Sequence, residues 1–211
     1  MQPEQQGRAH QPPDWDARFS GDGFLFGTEP NEFLVRCRDL LPPGRRVLCV
    51  ADGEGRNSVW LAEQGLVVDA FDRSPVGVAK AGRLADERGV EVRFDVADVD
   101  AWTWPAERYD VVVAIFIQFA PPDQRQRLFA RAFSALRPGG LLLLEGYGVE
   151  QLGYGTGGPP EPDQLYTEGQ LRSELAAFAI ERLDAYDVDV REGPAHSGMS
   201  ALIDVVARRP A

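Results

Sequence analysis

Hydrophobic residues along this chain fall into short unbroken runs separated by longer stretches of helical period. The runs predict strands at Val47–Ala51, Leu66–Phe71, Val90–Asp95, Asp110–Ile115 and Leu141–Glu145. Asp110-Val-Val-Val-Ala-Ile115 has no polar alternation, the mark of a central strand covered on both faces. Between the runs lie predicted helices Arg56–Gln64 and Pro75–Arg88, and one opened by Pro121-Pro122 whose Leu128, Phe129, Ala132, Phe133 and Leu136 repeat at helical spacing. An earlier helix carries Phe33, Leu34, Cys37, Leu40 and Leu41, with Thr28 or Asn31 as its cap and Pro42-Pro-Gly44 as its stop. Strand–helix alternation of this kind requires right-handed crossovers and a parallel sheet. Near the C-terminus, Leu171 to Phe178 reads as a helix. Two strands near Arg182–Val190 and Ser200–Ala207 follow, and the short Glu192–Gly198 link makes them an antiparallel pair. Leu183 and Ala185 are out of phase with Val188 and Val190, which predicts a bulge near Tyr186.

Composition narrows the class. A chain of 211 residues, 44% hydrophobic, suits one α/β domain over 14–211 and buries a core without disulfides. Residues 1–13, rich in Gln and Pro, read as a disordered tail, and the Gly/Pro-rich excursion over 148–166 as an active-site lid. A net charge of −11 disfavours nucleic acid as a partner, and no run approaches the length of a membrane span. The tail has neither a basic region nor an apolar core of a leader, so a cytoplasmic protein is expected. Cys37 and Cys49 fall on different elements and read as reduced structural thiols, with no metal-ligand spacing.

The densest chemistry is Arg45-Arg-Val-Leu-Cys-Val-Ala-Asp-Gly-Glu-Gly-Arg-Asn-Ser58, followed by Val67-Val-Asp-Ala-Phe-Asp72. A strand running into a loop with Gly53 and Gly55 and then into a helix is a cradle for a nucleotide-type ligand, and Asp72 ends the next strand where a carboxylate can accept from two ribose hydroxyls. Gly53-x-Gly55-x-x-Ser58 supplies two of the three glycines of a dinucleotide fingerprint. Both also read as plain turn glycines, and Asp98 reads equally as a ligand contact or a helix cap. Trp15, Phe24 and Phe26 are core aromatics or a lid, and Trp102 and Trp104 are packing.

The whole layout, with Phe26-Gly-Thr-Glu-Pro-Asn31, Asp52-Gly-Glu-Gly-Arg-Asn57, Pro121-Pro122, and Gln151 with Thr156-Gly-Gly-Pro159, resembles class I S-adenosylmethionine (AdoMet) methyltransferases, and within them the tellurite-resistance and thiopurine type. The resemblance covers Trp15 to Arg209. It implies a Rossmann-like, doubly wound seven-stranded sheet of order 3-2-1-4-5-7-6 with strand 7 antiparallel. It further implies that the cofactor is held by Asp52, Gly53 and Gly55 beside its amino acid part, Asp72 on the ribose, and Asp98 with Val99 on the adenine. Phe26, Ala51, Asn57, Arg73 and Ile115 complete the cofactor set. Two positions depart from the pattern: Cys49 replaces an acid and Ala51 a glycine. The turn then requires a negative φ at Ala51, with Asp52 or Glu54 taking the place of the missing carboxylate.

The implied reaction moves a methyl group to a small-molecule acceptor, a soft sulfur, selenium or tellurium nucleophile suiting direct displacement without a base. The acceptor belongs beyond the central strands, near Phe116, Ile117, Gln118, Phe119, Glu145 and Tyr147. Ala114–Phe119 lacks the Asn/Asp-Pro-Pro-Tyr/Phe signature of amino methyltransferases, and no Pro-Cys nucleophile for cytosine chemistry occurs. Tyr147 and His196 are the catalytic candidates, with Gln151 and Tyr154 bordering the lid. Arg125 and Arg191 either hold an anionic acceptor or are solvated surface. A non-catalytic AdoMet-binding domain and an NAD-dependent oxidoreductase are the competing readings.

Overall fold

The computed structural model describes residues 13–211; the expected disordered tail, but for Pro13, lies outside them. Seven strands, β1 Arg46–Val50, β2 Val67–Asp72, β3 Val92–Val96, β4 Tyr109–Ile115, β5 Leu136–Tyr147, β6 Ala179–Arg191 and β7 Ser197–Arg208, form one sheet of order β3-β2-β1-β4-β5-β7-β6. β3, β2, β1, β4 and β5 pair in parallel, and β7 runs antiparallel to both β5 and β6. This is the sheet order and strand direction that the family resemblance implied.

Helices cover both faces: α1 Trp15–Phe19, α2 Glu32–Arg36, α3 Arg56–Glu63, α4 Pro75–Arg88, α5 Pro122–Ala135 and α6 Glu168–Glu174. Alternate residues of the central strands feed two cores. Leu48, Val50, Val112, Leu142 and Leu144 pack with Leu128, Phe129 and Ala132 of α5. Val47, Cys49, Val111, Val113 and Leu143 pack with Phe33, Leu34 and Leu61 on the other side. The unalternated run 110–115 is thus explained, since each face of β4 meets its own layer.

Local chemistry sets the ends. Asn31, rather than Thr28, caps α2 by accepting from the Leu34 N–H at 3.2 Å; α2 is short and passes into a 3₁₀ turn at Arg38–Leu40. Ser74 caps α4 with Pro75 in the first turn, and Gly89 closes it at φ 67°. Two expectations are corrected. The bulge lies between Ile180 and Arg182, with Tyr186 in continuous register opposite Leu202. One inserted residue there keeps both Ile180 and Leu183 on one core, while Tyr186 and Val190 pack on the other face. The late helix is Glu168–Glu174, capped by Thr167, and α1 was not anticipated because its five residues carry too short a period.

α3 and α4 approach each other across Gly55. A Cβ there would stand 2.6 Å from the Ala81 Cβ, and its φ of 90° disfavours any side chain. Gly82, by contrast, lies within α4 with open space beside it. Gly55→Ala is therefore expected to cost roughly 1–3 kcal/mol of unfolding free energy and Gly82→Ala to add roughly 0.5–1 kcal/mol, measured by urea denaturation. Equal effects from the two would remove close packing as the reason for the glycine.

Candidate functional site

The carboxyl ends of β1, β2 and β4 open into a cavity of about 520 Å³, a volume suited to a small organic ligand. Its floor is the β1–α3 loop. Ala51 there has φ +50°, not the negative value the sequence reading required, and Gly53 has φ +63°. The Asp72 carboxylate holds this loop against the next one: Oδ2 accepts from the Gly53 N–H at 2.9 Å and Oδ1 from the Ser74 N–H at 2.8 Å. Burial pushes the Asp72 pKa up, and the two backbone bonds oppose that. Asp52 is pushed further, to about 7, chiefly by burial, although the Ser58 hydroxyl donates to it. Ser58, at the position of a third fingerprint glycine, thus serves the loop itself.

Of the cofactor candidates, Phe26, Ala51, Asp52, Gly53, Asn57, Asp72, Arg73, Asp98, Val99 and Ile115 line the cavity. Gly55 does not; it lies where α3 meets α4, and its conformation serves that contact. Glu54, one suggested replacement for the missing acid, is also outside the lining. It is buried against Lys80 at 2.7 Å and accepts from the Leu25 N–H at 2.6 Å. Asp98 lines the cavity and accepts from the Asp100 N–H at 2.9 Å; no helix begins there, so it closes a turn and is not the helix cap that the sequence also offered. Beneath this end, Trp102 stacks on Phe71 with centroids 4.6 Å apart, and the Trp104 indole donates to the Val99 carbonyl at 3.0 Å. The tryptophans pack, as expected, and in doing so stiffen the wall that Phe71 and Val99 present.

The roof comes from distant segments. Trp15, Phe19 and Phe26 cluster over the loop, with the Arg18 guanidinium 4.6 Å from the Trp15 ring. Lys80 reaches the Gly23 carbonyl at 2.5 Å, and the Ser74 hydroxyl donates to Asp16, so this segment is anchored at several points. The β6–β7 hairpin meets it: the Ala195 N–H donates to the Leu25 carbonyl at 3.1 Å, and Gly193 lies against Phe26 and Gly27 so closely that a Cβ would stand 2.4 Å from backbone.

His196 and Tyr147 meet in the opposite wall. The His196 ring lies 4.5 Å from Phe26, 4.4 Å from Phe116 and 5.9 Å from Tyr147. Phe116, which the sequence singled out only by position, holds φ +53°, a strained value for a bulky residue. His196 is 8% exposed, its Nδ1 has no protein partner, and burial lowers its pKa to about 3 with help from the Arg56 and Arg18 charges. Burial likewise raises the Tyr147 hydroxyl above its ordinary value. The excursion reaches the cavity through Gly157 to Glu161 and is tied down by Gln151, which donates to Thr156 Oγ1 at 3.0 Å and accepts from the Ala201 N–H at 2.9 Å.

Other candidates lie elsewhere. Arg125 is fully buried in a two-pronged pair with Glu174 at 2.8 Å and also donates to the Asp163 carbonyl, so it anchors the excursion rather than holding an acceptor. Arg191 is exposed and pairs with Asp189, and Tyr154 is exposed outside the lining. Glu145 is walled off beneath Asn31, whose amide donates to it at 2.5 Å. Its cross-strand neighbour is Asp204, whose Oδ1 has no partner that donates while Oδ2 takes Arg36 at 2.6 Å. Burial, with the neighbouring Asp204 carboxyl, holds Glu145 well above the ordinary carboxylate range. Among the described residues no cluster of His, Cys, Asp or Glu is arranged to hold a metal ion, and no helix is long and apolar enough to cross a membrane.

Residues 47–140 match the model of a family described as a methyltransferase domain. Over 140 residues the chain is 31% identical to glycine/sarcosine N-methyltransferase of Halorhodospira halochloris, a match spanning 63% of this chain and 47% of that one. The chain spans less than half the length of the curated relatives it matches. Among solved structures it resembles one described under the conversion of a disulfide bond into a thioacetal group during echinomycin biosynthesis, with TM-score 0.79 and 21% identity over 95% of this chain and 92% of that one. It also resembles TehB from Haemophilus influenzae, with TM-score 0.69 and 16% identity over 85% and 62%.

A carboxyl raised toward 7 binds its proton more tightly in the folded chain than in the unfolded one, so folding is disfavoured progressively as pH rises from about 4 to 7. Relative to wild type, Asp52→Asn is expected to gain stability across that interval and level off above it, read by urea unfolding at pH 4.5 and 7.5. A pH-independent difference would remove Asp52 as the titrating group.

Proposed function

We propose that this chain, whose residues 47–140 match a methyltransferase domain and whose sheet has the class I S-adenosylmethionine-dependent methyltransferase order, moves a methyl group to a small-molecule acceptor whose reacting atom is a soft sulfur, selenium or tellurium nucleophile. The cradle fits AdoMet. Asp72 has carboxylate capacity beyond its two backbone donors and would hold a ribose diol, the Gly53 loop would take the amino acid portion, and Asp98, Val99 and Phe71, which line the same cavity, would take the adenine. When bound, AdoMet supplies an electrophilic methyl on a sulfonium centre. The residues around it position the acceptor and keep water out, which for direct displacement contributes about 7–11 kcal/mol of barrier reduction.

The observation that carries the choice of acceptor is the missing base at the aromatic end. His196 near pKa 3 stays neutral and takes protons poorly, and Tyr147 is held protonated by burial. A hydroxyl or ammonium acceptor would arrive still protonated. A thiolate or heavier congener would arrive ready to react. The neutral His196 imidazole is then a hydrogen-bonding partner for the acceptor, with Phe116 and Tyr147 as apolar walls. The solved structure connected with disulfide-to-thioacetal conversion and the TehB structure support this reading through the fold alone.

Asp72→Ala is expected to weaken S-adenosylhomocysteine binding roughly 10–100-fold in calorimetry, the loss of about 1.5–3 kcal/mol of charge-assisted bonding. Wild-type-like affinity, or thermal stabilisation by NAD instead, would overturn the cofactor assignment. In a methyl-transfer assay, thiol acceptors are expected to turn over with a pH profile that follows the thiol's own pKa and is unmoved by His196→Gln. Turnover of matched phenols or amines with an inflection that His196→Gln abolishes would overturn the soft-nucleophile reading.

A further inference from the structure

Arg56, the first residue of α3, is buried on the cavity wall, close enough to His196 to help keep the imidazole neutral. In a wall of low dielectric an uncompensated guanidinium would repel any cation that enters. Behind Arg56, outside the lining, stands Glu192 on the β6–β7 hairpin. Its carboxylate lies 2.8 Å from Arg56 Nη1, accepts from the Glu32 N–H at 3.0 Å and from the Asn31 amide at 3.1 Å, and is itself largely buried. The Glu192 N–H donates to the His196 carbonyl at 2.8 Å, so one residue ties Arg56, the start of α2 and the hairpin together. Neighbouring groups do not replace it. Burial pushes Asp52, also near Arg56, up to about 7 and holds Glu145 well above the ordinary carboxylate range, so both are poorer standing negative charges than the paired Glu192. Arg18 and Arg73 add further positive charge to the lining, which also holds Asp72 and Asp98.

Resting on the reading that this cavity takes S-adenosylmethionine, we propose that Glu192 is a positioning residue whose charge, acting through Arg56, lets the cavity admit a sulfonium cation as readily as the neutral product sulfide. The pair would otherwise need only to hold the hairpin, a role blind to ligand charge. The two roles separate when AdoMet and S-adenosylhomocysteine are compared, because these ligands differ by one methyl and one positive charge.

The test is calorimetric binding of both ligands to wild type, Glu192→Gln, Arg56→Gln and the double variant, with folding checked by circular dichroism. Glu192→Gln is expected to weaken AdoMet at least about fivefold more than S-adenosylhomocysteine. Arg56→Gln is expected to move the ratio the other way, and the double variant to bring it back toward wild type. Should one single variant fail to fold, the other and the double variant carry the comparison. Parallel losses for both ligands in each variant would overturn the charge role and leave Glu192 a hairpin anchor. Binding of neither ligand to wild type would instead overturn the reading of the cavity on which the inference rests.

Discussion

Two backbone N–H groups from different loops converge on the Asp72 carboxylate, and the shape of the cavity depends on that convergence. Gly53 belongs to the turn after β1 and Ser74 to the turn after β2, so a single side chain sets the spacing of two strand–helix units at their carboxyl ends. A parallel sheet leaves a crevice there. The carboxylate turns it into a floor of fixed outline, at the cost of a desolvated charge that the two donors only partly offset. Ala51, held at positive φ in the same turn, is the backbone expression of this constraint, and Phe116 is its counterpart at the end of β4.

Above the floor, closure is made by segments far apart in the chain. The N-terminal cover is pinned through Lys80 and Glu54, and the hairpin is pinned to that cover through Gly193 and the Leu25 carbonyl. Because these anchors are buried polar groups rather than a broad apolar contact, the roof is specified in position without requiring a large interface. The excursion is held in the same manner, by the Gln151 amide at one end and Arg125 at the other. An excursion tied at both ends lines the cavity with backbone and prolines, which suits shaping an acceptor subsite.

Charge is handled by pairing inside and excess outside. The chain carries a net charge of −11, yet beside the cavity buried charges are paired, Arg56 with Glu192 and Lys80 with Glu54, and burial holds Glu145 toward its protonated form. Burial, helped at His196 by the Arg56 and Arg18 charges, leaves His196 and Tyr147 uncharged, and that neutrality gives the aromatic end its chemical character.

The sequence by itself determined the strand–helix alternation, the parallel sheet with its closing antiparallel pair and most element boundaries, because each rests on local periodicity and on turn residues adjacent in the chain, while the strand order came from the family resemblance. It also brought nearly all the cavity-lining cofactor candidates to notice, since loops at the ends of parallel strands inherit their place from those strands. Tertiary structure decided the rest. Gly55 serves α4 instead of the cavity, Glu54 answers a lysine 26 residues away, and Arg125 is an interior anchor; each depends on a partner that no local pattern reveals. The neutral state of His196 and the Arg56–Glu192 pair were hidden for the same physical reason. Burial and charge proximity are properties of the folded neighbourhood, and residues 56 and 192 become neighbours only when the last hairpin closes over the first helix of the sheet.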